Sequence, residues 1–289
     1  MINIILSGAA GRMGHAVLDV LPNFKELELI AAIEAAGHPE LGKKVHKNVK
    51  LTHDIAGHSG AGRRAVLVDF STTGSAITNL KAASAAKIPA VVGVTGFNAE
   101  QKGEISAMSR SIPIVWSPNM SIGVNVMWRL IEDAATFLGK DYQIDIVETH
   151  HVHKKDAPSG TAKKMIEIVA ERGGYHLKKD VFFHAEGSGG VIPEAVIGDL
   201  TNTVKCGGSP LNAAGMTDKK AKIKVRSIRE GEVVGDHTII FTSPYERLEV
   251  THRAFSRGVF ANGALRAALW VAQQKPGLYE MKDVLSINV

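Results

Sequence analysis

Residues 2–6 form a short apolar run that ends at Ser7 and Gly8, and Gly8, Gly11 and Gly14 then follow at even spacing. Such a run is expected of a strand buried on both faces of a parallel sheet. Beyond Gly11 an amphipathic stretch continues to Leu21 and stops at Pro22. The order is strand, glycine turn, helix start, a geometry that lets backbone amides approach a pyrophosphate. The first two glycines stand one residue further apart than in the common dinucleotide fingerprint, and three glycines alone also make an ordinary turn. The context favours the nucleotide. Residues 27–33 read as a second strand, and Glu34 at its end is placed to accept hydrogen bonds from ribose hydroxyls.

The pattern then repeats. Residues 36–64 read as irregular structure with a short helix, and residues 65–70 as a buried strand followed by a helix to Lys87. Strands at 89–94 and 112–116 bracket a helix over 99–110. Alternation at this spacing implies βαβ units in an α/β, Rossmann-like, doubly wound parallel sheet, with its ligand crevice at the C-terminal ends of the strands. Gly93, Thr95, Ser117, Asn119 and Met120 fall at those ends, in segments that tight turns would also explain. A long helix over 121–138 leads into a second, α+β domain. There a strand over 142–148 and a helix over 159–171 precede strands at 221–228, 232–242 and 247–252. These suggest a mixed or antiparallel sheet with hairpin-like links at 229–231 and 243–244. Residues 260–273 are again apolar at helical spacing.

The densest chemistry lies between the strand at 142–148 and the helix that follows. Residues 148–162 read E-T-H-H-V-H-K-K-D-A-P-S-G-T-A. Pro158 sits where a first helical turn accepts proline, so the backbone N–H groups of Ser159, Gly160 and Thr161 are expected at a helix N-terminus, ready for a carboxylate or phosphate. Imidazole delivers a proton near neutral pH, and Lys154 adds positive charge beside a bound anion. A solvated basic loop before a capped helix is the plainer reading of any one histidine. Three imidazoles with Asp156 also raise a metal site, but neighbours on an extended segment point to opposite faces, and no metal is expected.

The 148–162 run resembles the signature of the dihydrodipicolinate reductase family (4-hydroxy-tetrahydrodipicolinate reductases) of lysine and diaminopimelate biosynthesis. The resemblance extends to G-A-A-G-R-M-G at 8–14, G-V-T-G-F at 93–97, S-P-N-M-S-I-G-V-N at 117–125, G-D-H-T at 235–238 and F-A-N-G-A-L-R-A-A-L-W at 260–270. It implies reduction of 4-hydroxy-tetrahydrodipicolinate, a small dicarboxylate, by NADH or NADPH. It also implies His150 as proton donor, Lys154 as second catalytic residue, and His151, Lys154, Ser159, Gly160 and Thr161 around the substrate. The cofactor would meet Gly8, Ala9, Ala10, Gly11, Arg12, Met13, Glu34, Gly93, Val94, Thr95, Ser117, Pro118, Asn119 and Met120. Residues 1–121 with 259–289 would form a discontinuous nucleotide domain, and 122–258 a substrate domain whose sheets assemble a homotetramer. Ala35 departs from the family, where a basic residue often follows the acid and meets a 2′-phosphate, which leaves Lys43, Lys44 or Arg12 to compensate. The resemblance weakens over residues 187–220, a glycine-rich stretch read as a loop, lid or subunit contact.

Composition narrows the remaining classes. No apolar run approaches the ~20 residues of a membrane span, and the N-terminal run is too short for a secretory signal, so a cytoplasmic protein without a membrane partner is expected. Cys206, the single cysteine, fits a reducing compartment and excludes an internal disulfide. The net charge of +5 is spread over scattered clusters such as Lys43-Lys44 and Lys219-Lys220, without a nucleic-acid recognition pattern. Two competitors stay open: a semialdehyde dehydrogenase with Cys206 as nucleophile, and a nucleotide-sensing protein that kept the fold without the chemistry.

Overall fold

A computed structural model describes residues 1–55, 57, 64–186 and 223–287. The 187–220 stretch, read as a loop, lid or subunit contact, and Cys206 within it therefore lie outside the described residues. The chain divides into two compact units, Met1–Asn125 with Arg257–Val289, and Val126–Ser256.

In the first unit, β1 (Ile2–Ser7), α1 (Arg12–Val20), β2 (Leu27–Ile33), β3 (Lys44–His46), β4 (Val49–Thr52), β5 (Ala65–Asp69), α2 (Thr73–Ala85), β6 (Ala90–Val92), α3 (Ala99–Ser109) and β7 (Pro113–Trp116) follow in order. The strands lie in the order β7-β6-β5-β1-β2-β4-β3, parallel except for the β3–β4 pair. Alternate residues of the central strands feed two cores. Ile4, Leu6, Val66 and Val68 pack with Val17 of α1, whereas Ile5 and Leu67 pack with Ile77 and Leu80 of α2 and Ile105 of α3. Burial on both faces explains why these strands read as apolar runs without alternation.

Residues 36–64 differ from the expected short helix. Val-Lys-Leu-Thr at 49–52 alternates, buries Leu51, and adds β4 to the sheet beside β2 through Ala32↔Leu51 and Ile33↔Thr52. Cover for the first core comes from the other end of the chain. The second unit's chain is followed by α7 (Gly258–Val271), β13 (Gly277–Tyr279), which pairs with β7, and α8 (Met281–Val284). Ala261, Ala264, Leu265, Ala267, Ala268 and Val271 of α7 are all fully buried. Its small residues permit close contact: a Cβ on Gly263 would stand 1.7 Å from the Met120 carbonyl oxygen.

The second unit contains most of α4 (Ile122–Leu138), then β8 (Gln143–His150), α5 (Gly160–Gly173), α6 (Leu177–Asp180), β9 (Val181–Glu186), β10 (Ile223–Arg229), β11 (Gly235–Thr242) and β12 (Arg247–Ala254). Its sheet is mixed, in the order β12-β11-β8-β10-β9, with β10 parallel to both β8 and β9 and with β11 antiparallel to both β8 and β12. The link at 229–231 is thus no hairpin, because β8 lies between the strands it joins. The turn at 243–246 is one, closed by the Ser243 N–H donating to the Glu246 carbonyl at 3.0 Å. Ser159 caps α5, its Oγ accepting from the Ala162 N–H, and Gly174 ends the helix in the left-handed region at φ 66°. Pro158 precedes this cap rather than lying in the first turn, after a cis Ala157–Pro158 bond.

Two glycine substitutions separate close packing from simple helix propensity. Gly263→Ala should lower the unfolding free energy by about 3 kcal/mol in urea titration, because Met120 is backbone and cannot give way cheaply. Gly103→Ala, in α3 with nothing within 4 Å of the added methyl, should instead raise it by up to ~1 kcal/mol.

Candidate active site

The glycine turn is held by its own amides. The N–H groups of Gly8 and Ala9 donate to the Ile33 carbonyl at 3.0 and 3.2 Å, and that of Gly11 donates to Gly8. The Ala10 N–H donates to Oε1 of Glu34 at 3.0 Å. Glu34 therefore joins the end of β2 to the turn, with its carboxylate beside the first residues of α1. Arg12 and Met13 open that helix, where amides have no intrahelical acceptor and the dipole favours an anion. Glycine is required at both ends of the turn. Gly8 has φ 74°, and a Cβ there would meet the Phe70 carbonyl oxygen at 2.6 Å; a Cβ on Gly14 would meet the Gly8 and Ala9 carbonyl oxygens at 2.3 Å.

Phe70 also backs the next loop. Its ring fills the space over Gly93, where a Cβ would approach it to 2.0 Å. The Gly93 N–H donates to the Asp69 carbonyl at 2.8 Å, and the Val94 carbonyl accepts from the Trp116 indole at 3.2 Å. Asp69 is fully buried, and its carboxylate accepts from the Ser71 N–H and Oγ–H and from Asn79, which also donates to Ser7. Burial pushes the Asp69 carboxyl up, against the pull of those hydrogen bonds. Val94 and Met120 turn their side chains into the core, so only their backbone faces a loop surface, whereas Thr95 and Pro118 are exposed. The Ser117 hydroxyl donates to the Asn119 carbonyl, and Asn119 Oδ1 accepts the Ser121 N–H at 2.8 Å.

In the second unit one sheet face changes character along its strands. Ile144 pairs with Ile223 and Phe241, and Ile146 with Val225 and Ile239; the next row is Glu148, Ser227 and His237, and after it His150 pairs with Arg229. All of these but Arg229 are buried. Oε1 of Glu148 accepts from the Ser159 N–H at 3.0 Å and from Arg229 at 3.3 Å. Oε2 lies 3.2 Å from Nδ1 of His150 and 3.8 Å from Nε2 of His237, and the latter is 3.0 Å from the Ser159 hydroxyl. The imidazoles of His150 and His237 meet edge to face at 5.0 Å. Arg229 also donates to the Lys154 carbonyl at 3.2 Å, which ties the loop to the same carboxylate. Nζ of Lys154 is 2.8 Å from Asp156.

Burial alone would raise the Glu148 carboxyl, but its contacts, His150 foremost, outweigh that and hold it below the usual carboxylate range. Burial, followed by the neighbouring His150, pushes His237 down to about 3, so this imidazole stays neutral at physiological pH. Donor atoms of Glu148, His150 and His237 lie within 4.8 Å of one another, a spacing that one metal ion also accepts. Arg229 already supplies positive charge at that carboxylate, and a dication beside it would be opposed.

The structure thus gathers His150 and Ser159 around Glu148, ties the Lys154 backbone to it through Arg229, and gives the other two histidines different partners. The His151 N–H donates to the Val233 carbonyl at 2.7 Å, and His153 is exposed, 3.8 Å from Glu232. Of the three expected cradle amides, that of Ser159 is already spent on Glu148. Gly160 is exposed, with open space where a Cβ would project. Glu148, Arg229, His237 and Gly235 were not singled out from the sequence. For Glu148 a signal existed: it continues the Ile144, Ile146 alternation toward His150 and must share their face.

Comparison with known proteins covers the whole chain. A family model described as dihydrodipicolinate reductase, N-terminus, matches residues 2–120, and one described as dihydrodipicolinate reductase, C-terminus, matches residues 123–285. The 4-hydroxy-tetrahydrodipicolinate reductase of Methanocorpusculum labreanum is 38% identical over 287 residues, covering 99% of this chain and 100% of that one. That of Geotalea daltonii is 38% identical over 296 residues, with 100% of each chain covered. Among solved structures, a dipicolinate-bound dihydrodipicolinate reductase from Paenisporosarcina sp. TG-14 shares the fold at TM-score 0.71 and 21% identity, covering 97% of each chain. A probable dehydrogenase from Thermotoga maritima follows at TM-score 0.61 and 11% identity, covering 98% of this chain and 92% of its own.

His237 makes stability sensitive to acid. Its folded value lies below its ordinary one of 6.5, so as pH falls through 6.5 the unfolded chain takes up a proton that the folded chain refuses, and stability is lost. Between pH 6.5 and 4.5, where Glu148 keeps its charge, calorimetry should show Tm falling on the order of 5 °C further in the wild type than in His237→Gln.

Proposed function

This chain belongs to the dihydrodipicolinate reductase family, and from that membership we propose the following course for its reaction. The activity is the NAD(P)H-dependent reduction of 4-hydroxy-tetrahydrodipicolinate to tetrahydrodipicolinate, with the 4-hydroxyl lost as water, in lysine and diaminopimelate biosynthesis. The observation that supports the site assignment is the carboxylate-oriented imidazole of His150 beside the helix start at Ser159. A solved relative bound to dipicolinate supports a planar dicarboxylate as the guest.

The residues at the glycine turn fit a dinucleotide. A Cβ on Gly14 would fill the bend, and the first amides of α1, at Arg12 and Met13, suit a pyrophosphate. Glu34 would take a ribose hydroxyl on the carboxylate that also receives Ala10, and the loops at 93–95 and 117–120 would flank the nicotinamide. When bound, the reduced nicotinamide supplies the hydride.

The substrate carboxylates would rest at the helix start of Gly160 and Thr161, with His151 near them and Lys154 adding charge. Lys154 would draw electrons toward the ring nitrogen and carboxylate as the ring is reduced. His150 would then give its proton to the enamine carbon, and Glu148 would hold the imidazole in place throughout. No described helix is long and apolar enough to cross a membrane. We extend the proposal to a homotetramer in the cytoplasm; the exposed Tyr245 and Leu248, on and beside β12, give the second unit apolar surface to bury.

Three substitutions test the acid. His150→Gln should lower kcat roughly 10²-fold or more with little change in substrate KM. Lys154→Ala should lower kcat and raise KM more than His150→Gln does. His153→Gln should leave both near wild type; if it alone is crippled and His150→Gln is active, the acid has been misassigned.

Cofactor choice follows from charge. Glu34 would repel a 2′-phosphate, and Ala35 offers nothing to offset it, so NADH should serve at least as well as NADPH in kcat/KM. Ala35→Arg should shift the preference toward NADPH by about 1 kcal/mol. A wild-type enzyme strongly selective for NADPH would overturn this and direct attention to Lys43, Lys44 or Arg12.

A further inference from the structure

Glu148 and His150 present two buried atoms to each other. Oε2 of Glu148 and Nδ1 of His150 have no well-aligned hydrogen-bond partner among the described residues, yet they lie 3.2 Å apart. Leaving both unmade would cost about 1–3 kcal/mol or more per group. The arrangement that avoids this cost places a proton on Nδ1, shared with the carboxylate. Nε2 is the nitrogen that then exchanges protons with a guest. Space agrees, since a Cβ on Gly235 would lie 3.0 Å from Nε2, and glycine keeps that nitrogen uncrowded.

We propose that Glu148 is the positioning residue of this reaction: it fixes the Nδ1–H tautomer of His150 while its other oxygen holds the amide of Ser159. The proposal rests on His150 being the acid. Each oxygen serves one half of the site. Oε1 pins the N-cap of α5, and with it the helix start beside Gly160 and Thr161. Oε2 aims the acid. Arg229 balances the charge and, through the Lys154 carbonyl, sets the loop that carries the cation. His237 fills the remaining side as a neutral ring, so it adds no competing cation to the carboxylate.

Two variants and one spectrum test this. Glu148→Gln keeps an oxygen for Ser159 but turns an NH2 toward His150, which favours the opposite tautomer. It should lower kcat about 10²-fold or more, with substrate KM changed less than threefold and NADH affinity unchanged. Glu148→Asp keeps the charge and should recover part of that loss. Imidazole ¹⁵N shifts, assigned by the signals lost in His150→Gln, should show His150 protonated on Nδ1 in the neutral wild type and on Nε2 in Glu148→Gln.

An unchanged tautomer with kcat within threefold of wild type overturns the proposal. If Glu148→Gln fails to fold, the wild-type spectrum decides alone, and a proton on Nε2 sinks the idea. Failure of the acid assignment looks different: His150→Gln would remain active whichever nitrogen carries the proton.

Discussion

A single buried carboxylate organises the second unit. Glu148 is fully buried among groups from the end of its own strand β8 and from three other places in the chain: the cap of α5, the end of β10 and the start of β11. An isolated carboxylate in such a place would shed its charge. It keeps the charge because Arg229, the Ser159 amide and His150 converge on it, and each of these is correctly placed only when its own element is docked. The ion pair is therefore worth more for specifying one arrangement than for stability, since a well-packed apolar row would cost less to bury. On the proposed function that arrangement serves the substrate, which accounts for a polar row beyond Ile146, Val225 and Ile239.

The first unit solves the opposite problem, holding a backbone open rather than a charge inside. Gly8, Gly14 and Gly93 remove side chains where Phe70 and the turn's own carbonyls come closest. Asp69, Asn79 and Ser7 tie the ends of β1 and β5 beneath them. The sequence announces the glycines plainly but not their neighbours. Phe70 and Asp69 look like the last residues of an ordinary buried strand, and only the pairing of β5 with β1 and β6 brings them under both loops.

What could be read from the chain was local. The strand, turn and helix around Gly8–Gly14, Glu34 at the end of β2, and the histidine run before α5 all follow from short-range pattern, and the structure has them where they were expected. Pairing partners were another matter. Alternation marks β10 and β11 as half-buried strands, but it carries no record of direction, so the insertion of β8 between them was invisible and a hairpin was expected in its place. The roles of His237 and Arg229 were lost for the same reason, since they meet Glu148 only through sheet register. Ser159 shows a finer limit: it was expected at a helix start with its amide open, but nothing local says that this amide is already taken by a residue eleven positions earlier.

The glycine turn closes on acceptors of its own, with Gly8, Ala9, Ala10 and Gly11 all bonded to protein atoms. A backbone in that condition has little entropy left to surrender when a nucleotide arrives. Binding should then resemble docking onto a finished surface: fast association, small change in amide exchange at residues 8–11, and an affinity decided by contact quality rather than by the work of ordering a loop.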